Sequence, residues 1–125
     1  MTGNPVVWFE IYVQEMARAL KFYNAVFGLT LTKLESPIPG MELWSFPMEE
    51  RAPGATGALV KMDGKDSGGG GTLIYFSCAD CSVEAAKAAV NGGQIFREKF
   101  SIGQYGFIAL MYDTEGNMIG LHSMQ

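Results

Sequence analysis

The stretch VVWFEIYV, residues 6–13, contains one carboxylate, Glu10, in a run that otherwise predicts a buried β-strand. A carboxylate in such a place must be solvated, paired or neutral, because an unpaired charge is costly to remove from water. Successive side chains of a strand point to opposite faces, so Trp8, Glu10 and Tyr12 share one face. Glu10 is therefore a candidate acid–base residue. The simpler alternative is that it accepts hydrogen bonds from a tyrosine or a backbone amide.

His122 is the one histidine of the chain, and it lies in a predicted final strand, MIGLHSM. In that strand it shares a face with Gly120 and Met124. A glutamate and a histidine in one semi-enclosed site can each shift the pKa of the other and act as base and acid. We therefore predict Glu10 and His122 as candidate catalytic residues. The alternative for His122 is an ordinary histidine that lines a sheet.

The two cysteines, Cys78 and Cys81, stand in the sequence CADC. This spacing is typical of a redox dithiol or of half a zinc site. A four-cysteine zinc site is excluded, because the chain has no second pair. Cys78 ends an apolar strand pattern and Cys81 begins a helical one, so we favour the interpretation that both are small buried hydrophobic residues.

The composition predicts one ordered domain of 125 residues, with 48% hydrophobic and 18% charged residues. A formal net charge of −4 and the lack of a Lys/Arg cluster argue against nucleic acid and anionic membranes as partners. The N-terminus shows no secretory signal pattern, and no apolar run approaches membrane-spanning length. We therefore expect a cytoplasmic protein.

Hydrophobic periodicity predicts the element order β-α-β-β-β twice in succession, with a first helix that Gly28 ends and a following strand at 29–35. Superposing the two copies places Val13 on Cys78 and Ala58 on Gly120, with an offset that falls from 65 to 62 residues. A repeat over nearly the whole chain is hard to obtain by chance. We predict a single domain, 1–125, that consists of a first unit at about 5–64, a glycine linker at about 65–71 and a second unit at about 72–125.

One face of the predicted strands is aliphatic and should lie under the helices, whereas the other is aromatic and polar. The predicted fold class is therefore α+β, with curled mixed sheets that enclose a cup-shaped cavity and helices on the outer face. SIGQYGF, residues 101–107, is either a mobile rim of this cavity or a tight turn. The residues that we predict to contact a small ligand are Trp8, Tyr12, Trp44, Leu73, Tyr75 and Tyr105.

Two stretches resemble a known family. YVQEMARALKFYNAVFGL is similar to the first strand and helix of the vicinal oxygen chelate superfamily, which includes glyoxalase I, extradiol dioxygenases and bleomycin-resistance proteins. DTEGNMIGLH resembles the closing turn and strand of that family, with Thr114 in its proline position. The resemblance covers about residues 6–124, and it implies the duplicated fold, a small-molecule ligand and a homodimer.

Metal-using members of that family surround one divalent ion with a His or Glu from each first strand and a Glu from each last strand. The resemblance places these positions on Trp8, Ala58, Leu73 and Gly120. None of these side chains can donate an electron pair to a metal, so we predict no metal site and no cofactor. If the alignment is shifted by two residues, however, Glu10 and His122 become metal ligands.

Three functions follow from these expectations. In the first, the chain binds a small oxygenated or carbonyl metabolite without a metal and transforms it as a lyase or isomerase. Glu10 would move a proton beside the carbonyl, while His122 and a tyrosine would stabilise the oxyanion. In the second, it is a non-catalytic binding module of the bleomycin-resistance type for an aromatic or cationic compound. In the third, it is a metal-dependent lyase or dioxygenase with shifted ligands.

Overall fold

A computed structural model describes residues 3–125, which form eight strands, two α-helices and one short 3-10 helix. The order β-α-β-β-β occurs twice, and the predicted α+β class is confirmed. The chain divides into two compact units. The first unit is Trp8–Thr72, and the second unit is Leu73–Gln125 together with residues 3–7.

The first unit contains one helix against one face of a mixed sheet. Its strands are hydrogen-bonded in the order β2-β3-β4-β1, where β4 runs parallel to β1 and the other neighbours are antiparallel. The elements are β1 (Val6–Tyr12), α1 (Met16–Phe27), β2 (Thr32–Leu34), β3 (Met41–Ser45) and β4 (Thr56–Met62).

The second unit repeats this arrangement. Its strands have the order β5-β8-β7-β6, and β8 runs parallel to β5 as β4 does to β1. The elements are β5 (Thr72–Ser77), α2 (Cys81–Val90), β6 (Gln94–Ser101), the 3-10 helix Gly103–Tyr105, β7 (Phe107–Tyr112) and β8 (Met118–Ser123).

Helix α1 ends where the sequence predicts, at Gly28. This glycine has φ 64° and ψ 34°, a left-handed conformation that glycine adopts without steric cost. The buried side of the helix packs with Val13, Leu31 and Leu59. Strand β2 is three residues long, shorter than the predicted 29–35, because Leu31 packs in this cluster and lies outside the strand pairing.

Helix α2 begins after Asp80, whose Oδ1 accepts hydrogen bonds from the backbone N and the hydroxyl of Ser82 at 3.0 and 2.7 Å. Its buried side packs on the face of the second sheet that carries Ala109, Met111 and Leu121. Each sheet thus has one face beneath the helix of its own unit. The other face of each sheet carries the predicted site residues, except Trp44 on the helix-side face and Tyr105 in the 3-10 helix.

The glycine segment that the sequence predicts as a linker forms a hydrogen-bonded turn. Gly71 N donates to Gly68 O at 2.8 Å, and Gly71 O accepts a bond of 2.7 Å from Tyr12 N at the end of β1. Gly68 and Gly70 have φ values of 91° and 84°, which favour glycine. No helix within residues 3–125 is long and apolar enough to span a membrane.

Candidate functional site

Glu10 lies on the face of β1 that points away from α1, and it is 6% exposed. The Tyr12 hydroxyl donates to its Oε1 at 2.7 Å, and the Trp8 indole Nε1 donates to its Oε2 at 3.3 Å. Strand alternation brings both donors to this carboxylate, because residues two apart share a face. Glu10 is therefore a buried carboxylate that is paired with its strand neighbours.

Tyr12 is the stronger of these two donors. Burial raises the pKa of its phenol above the ordinary range, and the adjacent Glu10 raises it further through its charge and its hydrogen bond. The phenol therefore stays protonated at neutral pH and keeps donating to Glu10. This bond holds the carboxylate in one orientation.

The strands next to β1 contribute small side chains beside Glu10. Ala58 on β4 pairs with Glu10, and Ser45 on β3 pairs with Ala58, so all three share one face. Ala58 and Ser45 are buried, and the Ser45 hydroxyl donates to the carbonyl of Phe46 at 2.6 Å. The carboxylate is thus the main chemically reactive group on this face of the first unit.

Trp44, which we predicted to contact a ligand, lies on the opposite, helix-side face. The register of β3 pairs it with Leu59, and both pack in the cluster beneath α1. Its indole Nε1 donates to Glu42 Oε2 at 2.8 Å. The structure therefore does not bring Trp44 together with Glu10, although it builds a second Trp–Glu pair of the same spacing there.

In the second unit, His122 is half-buried on the face of β8 that points away from α2. Its Nε2 lies 2.6 Å from the carbonyl oxygen of Tyr105. A carbonyl oxygen can only accept, so Nε2 carries the hydrogen of this bond. Tyr105 thus contributes through its backbone to the surroundings of His122.

The segment that carries Tyr105 is a tight turn, one of the two alternatives that the sequence left open. Gly106 N donates to Gly103 O at 3.1 Å, and Ile102 N donates to Gly106 O at 2.9 Å. Gly106 has φ 101°, which disfavours any residue with a side chain. These bonds hold the Tyr105 carbonyl in position toward His122.

Leu73 and Tyr75 are buried in β5, and Tyr75 pairs with Gly120 on β8. The Tyr75 ring lies against Gly120 so closely that a Cβ atom at position 120 would overlap the ring. A glycine is therefore required there by the close approach of an aromatic side chain.

The residues present do not fit the metal site of the metal-using members of the family that the sequence resembles. Of the four positions, Ala58 and Leu73 are buried apolar residues, Gly120 is covered by the Tyr75 ring, and the Trp8 indole is only a donor. Within the described residues no group of three or more His, Cys, Asp or Glu side chains is arranged to hold a metal ion. The shifted-ligand alternative gains no support from this donor set.

Cys78 and Cys81 are free thiols. Burial raises the pKa of Cys78 to about 11, and the nearby Glu84 raises it as well. The reactive form of cysteine is the thiolate, which is scarce at neutral pH for such a group. Cys81, the first residue of α2, is fully buried. Both observations favour buried structural cysteines over a redox pair.

The comparison with known families decides the relationship. Residues 6–121 match the model of the Glyoxalase/Bleomycin resistance protein/Dioxygenase superfamily. The chain belongs to this superfamily. Two relatives named “Putative glyoxylase CFP32”, from Mycobacterium bovis and Mycobacterium tuberculosis, are 29% identical to this chain over 92% of its length. The chain spans 42% of the length of these two relatives.

Solved structures share the fold of this chain. A methylmalonyl-CoA epimerase variant from Streptomyces coelicolor, in complex with 2-nitronate-propionyl-CoA, has a TM-score of 0.69 at 18% identity and covers 96% of both chains. Hypothetical protein BH1468 from Bacillus halodurans has a TM-score of 0.74 at 15% identity, covering 99% of this chain and 96% of that one. At such identities the likeness shows the fold and not the reaction.

Two groups near His122 were not predicted as site residues. Ser77 on β5 pairs with His122, and its place on this face follows from strand alternation, so the sequence carried a signal for it. The Tyr105 carbonyl could not be found from the sequence, because every residue has a backbone carbonyl. Its role depends on where the turn places that oxygen.

Proposed function

We propose that this superfamily member binds a small oxygenated or carbonyl metabolite without a metal, and that Glu10 is the proton acceptor toward it. The observation that carries the proposal is the buried carboxylate held by Tyr12 and Trp8 at 2.7 and 3.3 Å. A carboxylate in a buried setting interacts with a ligand more strongly than one in water. Its position on a β-strand that pairs with β4 also limits its movement.

In the proposed reaction the C–H bond beside the ligand's carbonyl breaks. The proton moves to a Glu10 oxygen. The electron pair of the broken C–H bond is delocalised toward the carbonyl oxygen, which forms an enolate. Return of the proton to the opposite face of the same carbon inverts the configuration of that carbon, so the net reaction is an isomerisation. The hydrogen bond from Tyr12 keeps the carboxylate oriented in both directions of this transfer.

A second candidate is a binding module for a planar cation, favoured by the two aromatic side chains beside the buried carboxylate. Aromatic faces and a negative charge together attract cationic aromatic compounds. No proton transfer is required of Glu10 in that case.

The test compares Glu10→Gln with the matched control Glu42→Gln. Glu42 also accepts a hydrogen bond from a tryptophan indole two residues away, but on the helix-side face. Proton–deuterium exchange at the carbon beside the carbonyl is followed by NMR in D₂O for a panel of 2-oxo acids and hydroxyketones. We expect exchange to fall by about 100-fold or more in Glu10→Gln and to persist in Glu42→Gln.

Equal exchange in wild type and Glu10→Gln would contradict the role of Glu10 as proton acceptor. The second candidate predicts no exchange with any compound, together with thermal stabilisation of the wild type by planar aromatic cations. That stabilisation should be lost in Glu10→Gln and kept in Glu42→Gln.

We also propose that the chain works as a homodimer in a reducing compartment such as the cytoplasm. The relatives that this chain matches are more than twice as long as the chain, since the match spans 42% of their length. Helix α1 exposes Phe22, Val26 and Phe27, and neighbouring exposed apolar side chains are typical of a protein–protein interface. Free Cys78 and Cys81 suit a reducing compartment. Light scattering of the purified chain tests the dimer. We expect the mass of two copies, and the mass of one copy would contradict the proposal.

A further inference from the structure

The His122 ring is held in one tautomer by the turn before β7. Its Nε2 donates to the Tyr105 carbonyl at 2.6 Å, so in the neutral ring the lone pair is on Nδ1. Within residues 3–125, no hydrogen bond to Nδ1 is formed, and the residue is only half-buried. The second unit therefore presents a hydrogen-bond acceptor of fixed orientation.

Ser77 is the partner of His122 on the neighbouring strand. The parallel pairing of β5 with β8 places Ser77 directly opposite His122, and both side chains project from the face away from α2. The residue opposite His122 on the other side is the buried Ile108, which offers no polar group. The Ser77 hydroxyl makes no hydrogen bond to any described residue, and it can both donate and accept.

We propose that Ser77 and His122 together bind a small hydroxy acid. The ligand hydroxyl donates to His122 Nδ1, and an adjacent carboxylate oxygen accepts from the Ser77 hydroxyl. Neither contact needs a metal, and neither uses Glu10. The Tyr105 carbonyl is the positioning group, because it keeps the hydrogen on Nε2 and so leaves Nδ1 able to accept.

The proposal deepens the proposed binding of small oxygenated compounds, on which it rests, by naming a ligand class and two contacts in the second unit. It can fail separately, because the tautomer of His122 is a property of the free protein. The proposed role of Glu10 is judged by carbonyl exchange in Glu10→Gln, which does not depend on Ser77.

The experiment uses the single histidine of the chain. Protein labelled with ¹⁵N-histidine gives one imidazole spin system, and long-range ¹H–¹⁵N spectra at about pH 8, where most imidazoles are neutral, report which nitrogen carries the hydrogen. Lactate is then titrated into the wild type, Ser77→Ala and the control Ser82→Ala. Propionate, which lacks the hydroxyl, is the matched control ligand.

We expect the Nε2–H tautomer in the free protein and a shift of the Nδ1 resonance with lactate but not with propionate. Ser77→Ala should weaken lactate binding about tenfold, the usual effect of one hydrogen bond. Ser82→Ala, which alters a serine bound to Asp80 at the start of α2, should bind lactate like the wild type.

An Nδ1–H tautomer in the free protein would overturn the proposal without any ligand. Lactate binding that leaves Nδ1 unchanged, or that is equal in Ser77→Ala, would overturn it while the binding of oxygenated compounds stands. Absence of lactate binding would also overturn it, and the role of Glu10 would then still be decided by the exchange experiment.

Discussion

Glu10 pairs with Ala58 in the first unit, and Tyr75 pairs with Gly120 in the second. These pairs are equivalent, since the repeat offsets of 65 and 62 residues relate 10 to 75 and 58 to 120. In the first unit a carboxylate lies opposite a methyl group. In the second an aromatic ring lies opposite a bare backbone, and it occupies the space that a Cβ would need. The two units thus have the same strand register, but the side chains at this register position differ in their chemistry.

The next register continues the contrast. Tyr12 pairs with Val60 in the first unit, and the equivalent pair in the second is Ser77 with His122. Tyr12 turns its hydroxyl back to its own strand neighbour, so its polar group is already used. Ser77 and His122 leave polar atoms unsatisfied by the described residues. The first unit therefore holds a preoriented carboxylate, and the second an oriented histidine opposite a serine hydroxyl.

The largest expected effect on stability is that of Gly120→Ala, and the variant to compare it with is Ala58→Gly at the equivalent position of the first unit. The new methyl group would overlap the buried Tyr75 ring, and such overpacking costs about 3 kcal/mol of the free energy of unfolding. Ala58→Gly should cost about 1 kcal/mol, through chain entropy in a strand. Urea denaturation of both variants measures the difference, and equal losses would show that Tyr75 does not need this glycine.

A smaller effect is expected for Tyr12→Phe, which removes a hydrogen bond to a charged group and should cost about 2 kcal/mol. The folded pKa of Tyr12 lies above its unfolded value, so the native state holds the phenolic proton more tightly. The resulting stability is present below about pH 10 and falls as the pH rises further. This alkaline decline should be weaker in Tyr12→Phe, as measured by urea denaturation at several pH values.

Glu10→Gln provides the matching control for that prediction. Without the carboxylate charge, the Tyr12 pKa should fall, although burial, the largest cause, keeps it above the ordinary value. Phenolate absorbance during an alkaline titration follows this change. An unaltered titration in Glu10→Gln would mean that the two side chains are not coupled.

The smallest expected effect concerns the helix starts. Asp80 caps α2 and is bonded to Lys99 Nζ at 2.9 Å, whereas Glu15 at the start of α1 makes no side-chain cap. The Lys99 and Ser82 hydrogen bonds lower the pKa of Asp80 to about 2. Asp80→Ala should therefore lower the thermal midpoint at neutral pH more than Glu15→Ala does.

The pH dependence sharpens this comparison. Because the folded pKa of Asp80 is lowered, its contribution is present above the unfolded value of about 4 and is lost as the pH falls toward 2. The difference in midpoint between Asp80→Ala and wild type should thus shrink in acid. A difference that stays constant from pH 7 to pH 2 would contradict a role for the charged cap.

Much of the fold could be predicted, because it depends on local patterns. Helix α1 with its glycine stop, the duplicated element order and the family resemblance all follow from residues close together in the chain. The shared face of Trp8, Glu10 and Tyr12 follows from alternation alone, and the structure adds the hydrogen bonds. Strand β2 was predicted too long, because the burial of Leu31 beneath α1 depends on how the helix packs.

The sequence by itself determined the α+β class, the superfamily and the place of a carboxylate between two aromatic donors. These follow from strand and helix periodicity, which depends on residues close together in the chain. The tertiary structure alone decided that Trp44 lies beneath α1 and that Tyr75 covers Gly120. It also decided that His122 donates to the Tyr105 carbonyl. The first two depend on the register between strands that are distant in the sequence. The third depends on a backbone carbonyl oxygen, which every residue has. No local pattern therefore encodes any of them.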